Sequence, residues 1–202
     1  MTHTLIDGFR KFHADAYGED ALMRKLVREG QKPEFFIISC IDSRSNPGTI
    51  FKTEPGTFFA HKAMGAIVRP YKHGTALAAA LQFALVYNDV KEIIILGHTG
   101  CGAVRALVEK LDDDEISSFV DVAQKALRKA ENCCDGVCTH DQMLRYSEEQ
   151  IVLLSAENLK GYPSVAKALK ENRVVIRPWL FDMESGNLLE FNGTEFKPIT
   201  DY

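Results

Sequence analysis

Two short segments carry the residue types that hold a metal ion. One is Cys40-Ile41-Asp42-Ser43-Arg44 and the other is Gly97-His98-Thr99-Gly100-Cys101-Gly102. Zinc favours thiolate sulfur and imidazole nitrogen in a tetrahedron. A His-x-x-Cys pair in a strand-to-helix turn can put both side chains on one side of the loop. Gly100 and Gly102 permit tight backbone there. Cys101 then stands near a helix N-terminus, where the positive dipole end favours thiolate over thiol. With Cys40 as third ligand, one zinc position stays open, as catalytic sites require and structural sites avoid.

Asp42 follows Cys40 by two residues, which allows two arrangements. It can bind the fourth position and shut the site. Alternatively it can turn away, accept hydrogen bonds from Arg44, and orient a water at the open position. The planar guanidinium fork matches a carboxylate, so Arg44 would hold the open arrangement.

These residues need elements to position them. Residues 34–40 and 92–97 are short, continuous apolar runs, the pattern of strands buried on both faces. Both end in candidate ligands. Residues 56–61 are a further strand candidate. Residues 75–88, rich in Ala and Leu and apolar almost all round, predict a buried helix. A helix is expected over 101–110, and two more over 148–159 and 164–171. Residues 173–183 look β-like, and Glu184-Ser185-Gly186-Asn187 turns the chain into 188–191 as an antiparallel C-terminal edge. Residues 3–29 have helical spacing at Leu5, Phe9, Phe12, Leu22 and Leu26. Alternating strands and helices predict an α/β fold with a mainly parallel central sheet flanked by helices. In such sheets ligands gather beyond the carboxyl ends of the strands. The chain, 1–202, is read as one domain with a helical arm over 1–30.

Composition excludes several classes. With 46% hydrophobic and 26% charged residues the chain is globular rather than disordered. A formal charge of −4 and no basic run argue against nucleic acid as a partner. The longest apolar stretch, 75–87, is too short to cross a bilayer, so no membrane association is expected. Residues 1–11 show no secretory pattern, and five cysteines are an odd number. Both features point to a reducing cytoplasm.

The two motifs together resemble the β-class carbonic anhydrase family, in residue type and in order. The similarity extends through Pro47, Ile50-Phe51, Pro55-Gly56, Gly65-Ala66-Ile67-Val68 and Gly97 to Trp179-Leu180-Phe181-Asp182 and Gly186. It covers about residues 34–191. The resemblance implies reversible hydration of carbon dioxide to bicarbonate and a proton. It implies one zinc ion per subunit on Cys40, His98 and Cys101, with Asp42 and Arg44 catalytic. It also implies a homodimer or homotetramer, with the N-terminal helices packed on the partner subunit.

The implied substrate pocket is formed by Thr53, Lys62, Ala63, Met64, Gly65 and Gly102, and there the chain departs from the family. The family's usual Arg-Asn-x-(Ala/Gly)-(Asn/Gly) is replaced by Lys62-Ala63-Met64-Gly65-Ala66. A frequent glutamine is replaced by Thr53, with Glu54 beside it. The Trp and Arg of bicarbonate-gated members match Ile37 and Lys62. A divergent anhydrase is the first reading. Its alternatives are hydrolysis of carbonyl sulfide or carbon disulfide, and a non-catalytic zinc-binding homologue with a structural role.

Other residues carry weaker signals. Cys133, Cys134, Cys138 and His140 place four donors within eight residues, but the spacing fits no standard zinc finger. Free thiols on a surface loop are expected there. His61 and His73 are read as solvated side chains, with proton shuttling the sharper alternative. Tyr87 is expected in the core or at an interface. Asp112-Asp113-Asp114-Glu115 is expected to be a solvated loop at a helix start.

Overall fold

The N-terminal residues form two helices, α1 (Thr2–Ala16) and α2 (Leu22–Glu29), and neither buries a single residue. Alternation then begins: β1 (Phe35–Cys40), a short α3 (Pro47–Ile50), β2 (Phe58–Ala63), α4 (Ala76–Gln82), β3 (Glu92–His98) and α5 (Gly102–Val108). Four helices follow, α6 (Asp114–Val120), α7 (Gln124–Cys133), α8 (His140–Leu159) and α9 (Pro163–Lys170). The chain ends in β4 (Val175–Phe181), β5 (Leu188–Phe191) and β6 (Phe196–Pro198). This computed structural model describes residues 2–18, 21–134 and 137–199. Positions 1, 19, 20, 135, 136 and 200–202 lie outside them, including parts of the expected arm and cysteine-rich stretch and both ends of the expected domain.

The six strands form one sheet in the order β2-β1-β3-β4-β5-β6. The first four are parallel and the last two pair antiparallel, so the expected C-terminal edge is present. Phe35 pairs with Glu92 and Ser39 with Leu96, which brings the carboxyl ends of β1 and β3 level. Cys40 and His98 therefore emerge side by side.

One face of the sheet is sealed by α4, α8 and α9 around Phe36, Ile38, Leu81, Ile93, Ile95, Val152 and Leu159. Fully burying a branched aliphatic such as Ile38, Ile93 or Ile95 stabilises by about 1.5–3 kcal/mol each. The opposite face carries Ile37, Ile94 and Leu96 beside Phe58 of β2 and Trp179 of β4, with Phe51 packed against them. No helix among the described residues is long and apolar enough to cross a membrane.

Several boundaries differ from expectation. β2 begins at Phe58, because Pro55-Gly56 forms a turn closed by the Thr57 N–H on the Glu54 carbonyl at 3.3 Å. Lys62 and Ala63 thus lie within the strand rather than after it. The helix expected over 75–88 ends at Gln82 and gives way to a π-helical turn, Phe83–Tyr87. It is not buried all round: Phe83, Val86 and Tyr87 are exposed, which moves Tyr87 out of the core of a single chain. α8 starts eight residues before the expected position, where Thr139 and Gln142 form a reciprocal capping box. At the expected acidic loop, Asp113 caps α6 by accepting from the Ile116 N–H at 2.8 Å.

The cysteine-rich stretch also needs correction. Cys134 and Cys138 form a disulfide, and only Cys133 of the three is a free thiol. The Val137 N–H donates to the Cys134 carbonyl at 2.9 Å, and the α-carbons of Cys134 and Cys138 lie 5.1 Å apart, a separation a disulfide spans. His140 pairs instead with Glu109, at 3.2 Å.

Candidate metal centre

β1 delivers Cys40, β3 delivers His98, and the turn into α5 delivers Cys101. All three residues are buried, and their donor atoms lie within 4.8 Å of one another. Among the described residues this is the one such group of three. Cys101 is the N-cap of α5, as its spacing predicted.

The donors are individually prepared. His98 Nδ1 donates to the Thr99 carbonyl at 2.9 Å, because a carbonyl can only accept. That tautomer leaves a lone pair on Nε2, which is buried and has no hydrogen-bond partner. An orphaned imidazole nitrogen beside two buried sulfurs is the donor set zinc takes. Zinc therefore fits the residues present.

The backbone supports each sulfur. The Gly65 N–H donates to Cys40 Sγ at 3.2 Å. Gly65 reaches that point with φ +61, in the left-handed region, and an added Cβ would stand 3.3 Å from Ala103 Cβ. The Cys40 thiol is pulled well below its ordinary value, chiefly by Cys101, with the His98 imidazole and then the Asp42 and Gly65 N–H groups helping against burial. Cys101 is pushed up by the same contact and by burial. With two thiols this close, ionising one makes ionising the other harder, and a divalent cation between them would let both ionise.

Asp42 stands beside the cluster and outside it. Arg44 donates from Nε to Oδ1 at 3.1 Å and from Nη2 to Oδ2 at 2.8 Å. These contacts hold the Asp42 carboxyl at about 2, well below the ordinary range. Of the two arrangements the sequence left open, this is the one in which Asp42 turns to Arg44. Ser45, fully buried, fixes the turn by donating from Oγ to the Asp42 carbonyl at 3.1 Å.

The expected pocket residues divide. Gly65 touches Cys40 directly, and Met64 packs on the cluster containing Cys40 and Cys101. Lys62 Nζ donates to the Cys40 carbonyl at 2.8 Å, so the ammonium braces the end of β1. Gly102 opens α5 next to Cys101. Thr53 lines an apolar hollow of about 260 Å³ with Ile37, Phe51 and Trp179. Ala63 lines a groove with His61 and Arg69, and His73 lines a different hollow beside Tyr71 and Tyr162.

One residue at the centre escaped the sequence reading. Glu148 of α8 is 4% exposed and accepts from the Cys101 N–H at 3.0 Å. Burial pushes its carboxyl up, with that N–H opposing. Its signal was positional. Glu148 shares the stripe of Ile151, Val152, Ser155 and Leu159, so a charged residue stands on a buried helix face.

A carbonic anhydrase family model matches residues 35–188, more than half of the chain. The chain belongs to the β-class carbonic anhydrase family. Carbonic anhydrase 1 of Escherichia coli is 31% identical over 203 residues, covering 96% of this chain and 91% of that protein. A carbonic anhydrase of Pseudomonas aeruginosa is 29% identical over 195 residues, covering 94% and 87%. Among solved structures, the β-carbonic anhydrase CcaA superposes with a TM-score of 0.86 at 25% identity, covering 99% of this chain and 92% of that one. Membership makes this chain a carbonic anhydrase by class. The departures at Thr53 and Lys62 through Ala66 are differences within the family.

Proposed function

We propose that the chain catalyses reversible hydration of carbon dioxide to bicarbonate and a proton, with one zinc ion held by Cys40, His98 and Cys101. The carrying observation is the conjunction of three buried donors with an adjacent carboxylate clamped by Arg44. A purely structural zinc site needs four protein ligands and no such clamp. When bound, zinc supplies a Lewis acid that makes water a nucleophile near neutral pH.

The chain's own residues do the rest. Asp42 stays ionised at all working pH values, held at about 2 by Arg44. It can therefore accept a hydrogen bond from the attacking water and fix its lone pair toward the carbon. Arg44 keeps the carboxylate from becoming a fourth ligand. Ile67, Met64 and Val104 form apolar walls on the Cys40 and Cys101 side, suited to an uncharged linear substrate. The departing proton passes to buffer.

Met64 supports a second reading. Its polarizable thioether packs on the cluster, a surface that suits carbonyl sulfide or carbon disulfide. Rapid mixing of the purified protein with each substrate, alongside metal analysis, separates the readings. Fast hydration of carbon dioxide with stoichiometric zinc is expected. Zinc without turnover of any of these substrates would leave the non-catalytic homologue.

We further propose self-association into a homodimer or homotetramer through the N-terminal arm. α1 presents Leu5, Phe9 and Phe12 to solvent, and the body exposes Phe83, Val86 and Tyr87. We place the activity in the cytoplasm, where a reducing medium would open the Cys134–Cys138 bridge.

A further inference from the structure

We propose that Glu148 is a positioning residue for the metal centre: its carboxylate fixes the backbone of Cys101 and so sets where that thiolate meets the metal. This rests on the metal-site reading above.

The loop from His98 to Cys101 has no regular secondary structure after β3, so its shape depends on tethers. The Thr99 N–H donates to the Phe181 carbonyl at 3.0 Å, which ties the loop to β4. Thr99 Oγ1 accepts from the Met183 N–H at 2.9 Å, a second tie to the same end of the sheet. Both act at Thr99. The tether at Cys101 itself comes from Glu148, through Oε1 at 3.0 Å.

The choice of residue is informative. A backbone N–H at a helix N-cap is ordinarily solvated, at little cost. Here Cys101 is 3% exposed, so its N–H has no water to use. The fold answers with a side chain that is itself 4% exposed, on a helix whose neighbouring positions are core. Burying a carboxylate is costly unless it is hydrogen-bonded, and an apolar residue would pack on this stripe without that cost. The Glu148 carboxylate is explained by the Cys101 N–H. Arg145, one turn earlier, holds Glu149 at 3.0 Å and approaches Asp182 at 3.9 Å. The Asp182 contact ties the middle of α8, where Glu148 lies, to the residue that follows β4.

Partners outside the ligand shell of a metal site are typically worth about 10–100-fold in metal affinity. The test uses the full chain, with cobalt(II) as probe and a chelator in competition. Sulfur-to-cobalt charge-transfer bands report thiolate geometry independently of turnover. Glu148→Leu should weaken cobalt binding about 10–100-fold and shift the bands. Glu148→Gln keeps an acceptor oxygen at the same reach and should restore the wild-type bands. Glu148→Asp keeps the charge but draws the oxygen back by one methylene, and should fall between.

Wild-type affinity and bands in Glu148→Leu would overturn the assignment. If that variant does not fold, the same result in Glu148→Asp overturns it. A Gln variant as impaired as the Leu variant would also overturn it, because charge rather than position would then matter. If the wild-type chain itself shows no sulfur-to-cobalt bands, the metal-site reading fails and this inference with it. Normal bands without carbon dioxide hydration would defeat the proposed function alone, and the Glu148 comparison would still decide its own question.

Discussion

Arg44 engages both carboxylate oxygens of Asp42, and its own backbone N–H reaches Oδ1 as well, at 2.9 Å. The carboxylate is held by a residue only two positions away, so the device is local and survives changes elsewhere in the pocket. The Arg44 side chain is 63% exposed, whereas Asp42 is 19% exposed. The cation is wet and the carboxylate is shielded. Asp42→Asn should keep the metal and lower kcat by about 100-fold, the scale of a lost proton acceptor. Stopped-flow hydration with parallel metal analysis checks this, and an unchanged kcat removes Asp42 from its role.

Arg44→Ala should act differently. It frees Asp42 to swing toward the fourth metal position. Activity should drop while metal affinity rises, a combination no simple loss of structure produces. Chelator competition and hydration rates on one preparation give both numbers. Equal or weaker metal binding would reject the clamp.

Removal of a donor should remove the ion. Cys40→Ser or His98→Asn is expected to lose stoichiometric metal and activity together. Elemental analysis after dialysis reads the first and rapid mixing the second. A metal-free variant with full activity would end the proposed mechanism.

Packing beneath the centre predicts a stability effect. Gly97 lies where α8 crosses β3, and a Cβ there would stand 2.3 Å from Val152 Cγ2 and 3.2 Å from Leu180 Cδ1. Gly97→Ala should cost about 1–3 kcal/mol, the scale of overpacking in a filled core. Adding Val152→Ala should recover part of that loss. Urea midpoints measure both, and a Gly97→Ala midpoint equal to wild type would contradict the close approach.

His61 offers a pH readout at a residue that is not one of the ligands. Burial lowers its pKa below the ordinary 6.5. The fold thus prefers the neutral ring, and the unfolded chain binds the proton more readily. Its contribution to stability is complete above pH 6.5 and is lost as pH falls through the depressed folded value. Ring-proton NMR should show a midpoint under 6.5, and His61→Gln should flatten that part of the stability profile. A midpoint above 6.5 would contradict the burial.

The metal donors were legible because chemistry restricts them to few residue types, and because short apolar runs announced the strands that carry two of them. Parallel topology followed from the alternation alone. Glu148 was not legible, because its meaning lies in a contact across 47 residues that no local pattern encodes. The early start of α8 was hidden for another reason. Thr139 and Gln142 are a capping signal, but they follow a cysteine cluster that drew a loop reading. In residues 75–88, alanine-rich sequence has little amphipathic contrast, so the outward face of Phe83, Val86 and Tyr87 could not be told from the inward one. Thr53 was placed by likeness to a glutamine, and only the folded chain shows that it lines a hollow with Ile37 and Trp179.

α1 is a 15-residue helix with no buried side chain. Isolated helices of that length are marginal in water. No residue of α1 is buried in the chain it belongs to, so cutting it away should cost a lone molecule little. Any melting-temperature loss on deletion therefore weighs contacts made outside the chain, and should fade on dilution by mass action. The segment works as a built-in gauge of association, readable without touching the chemistry at Cys40.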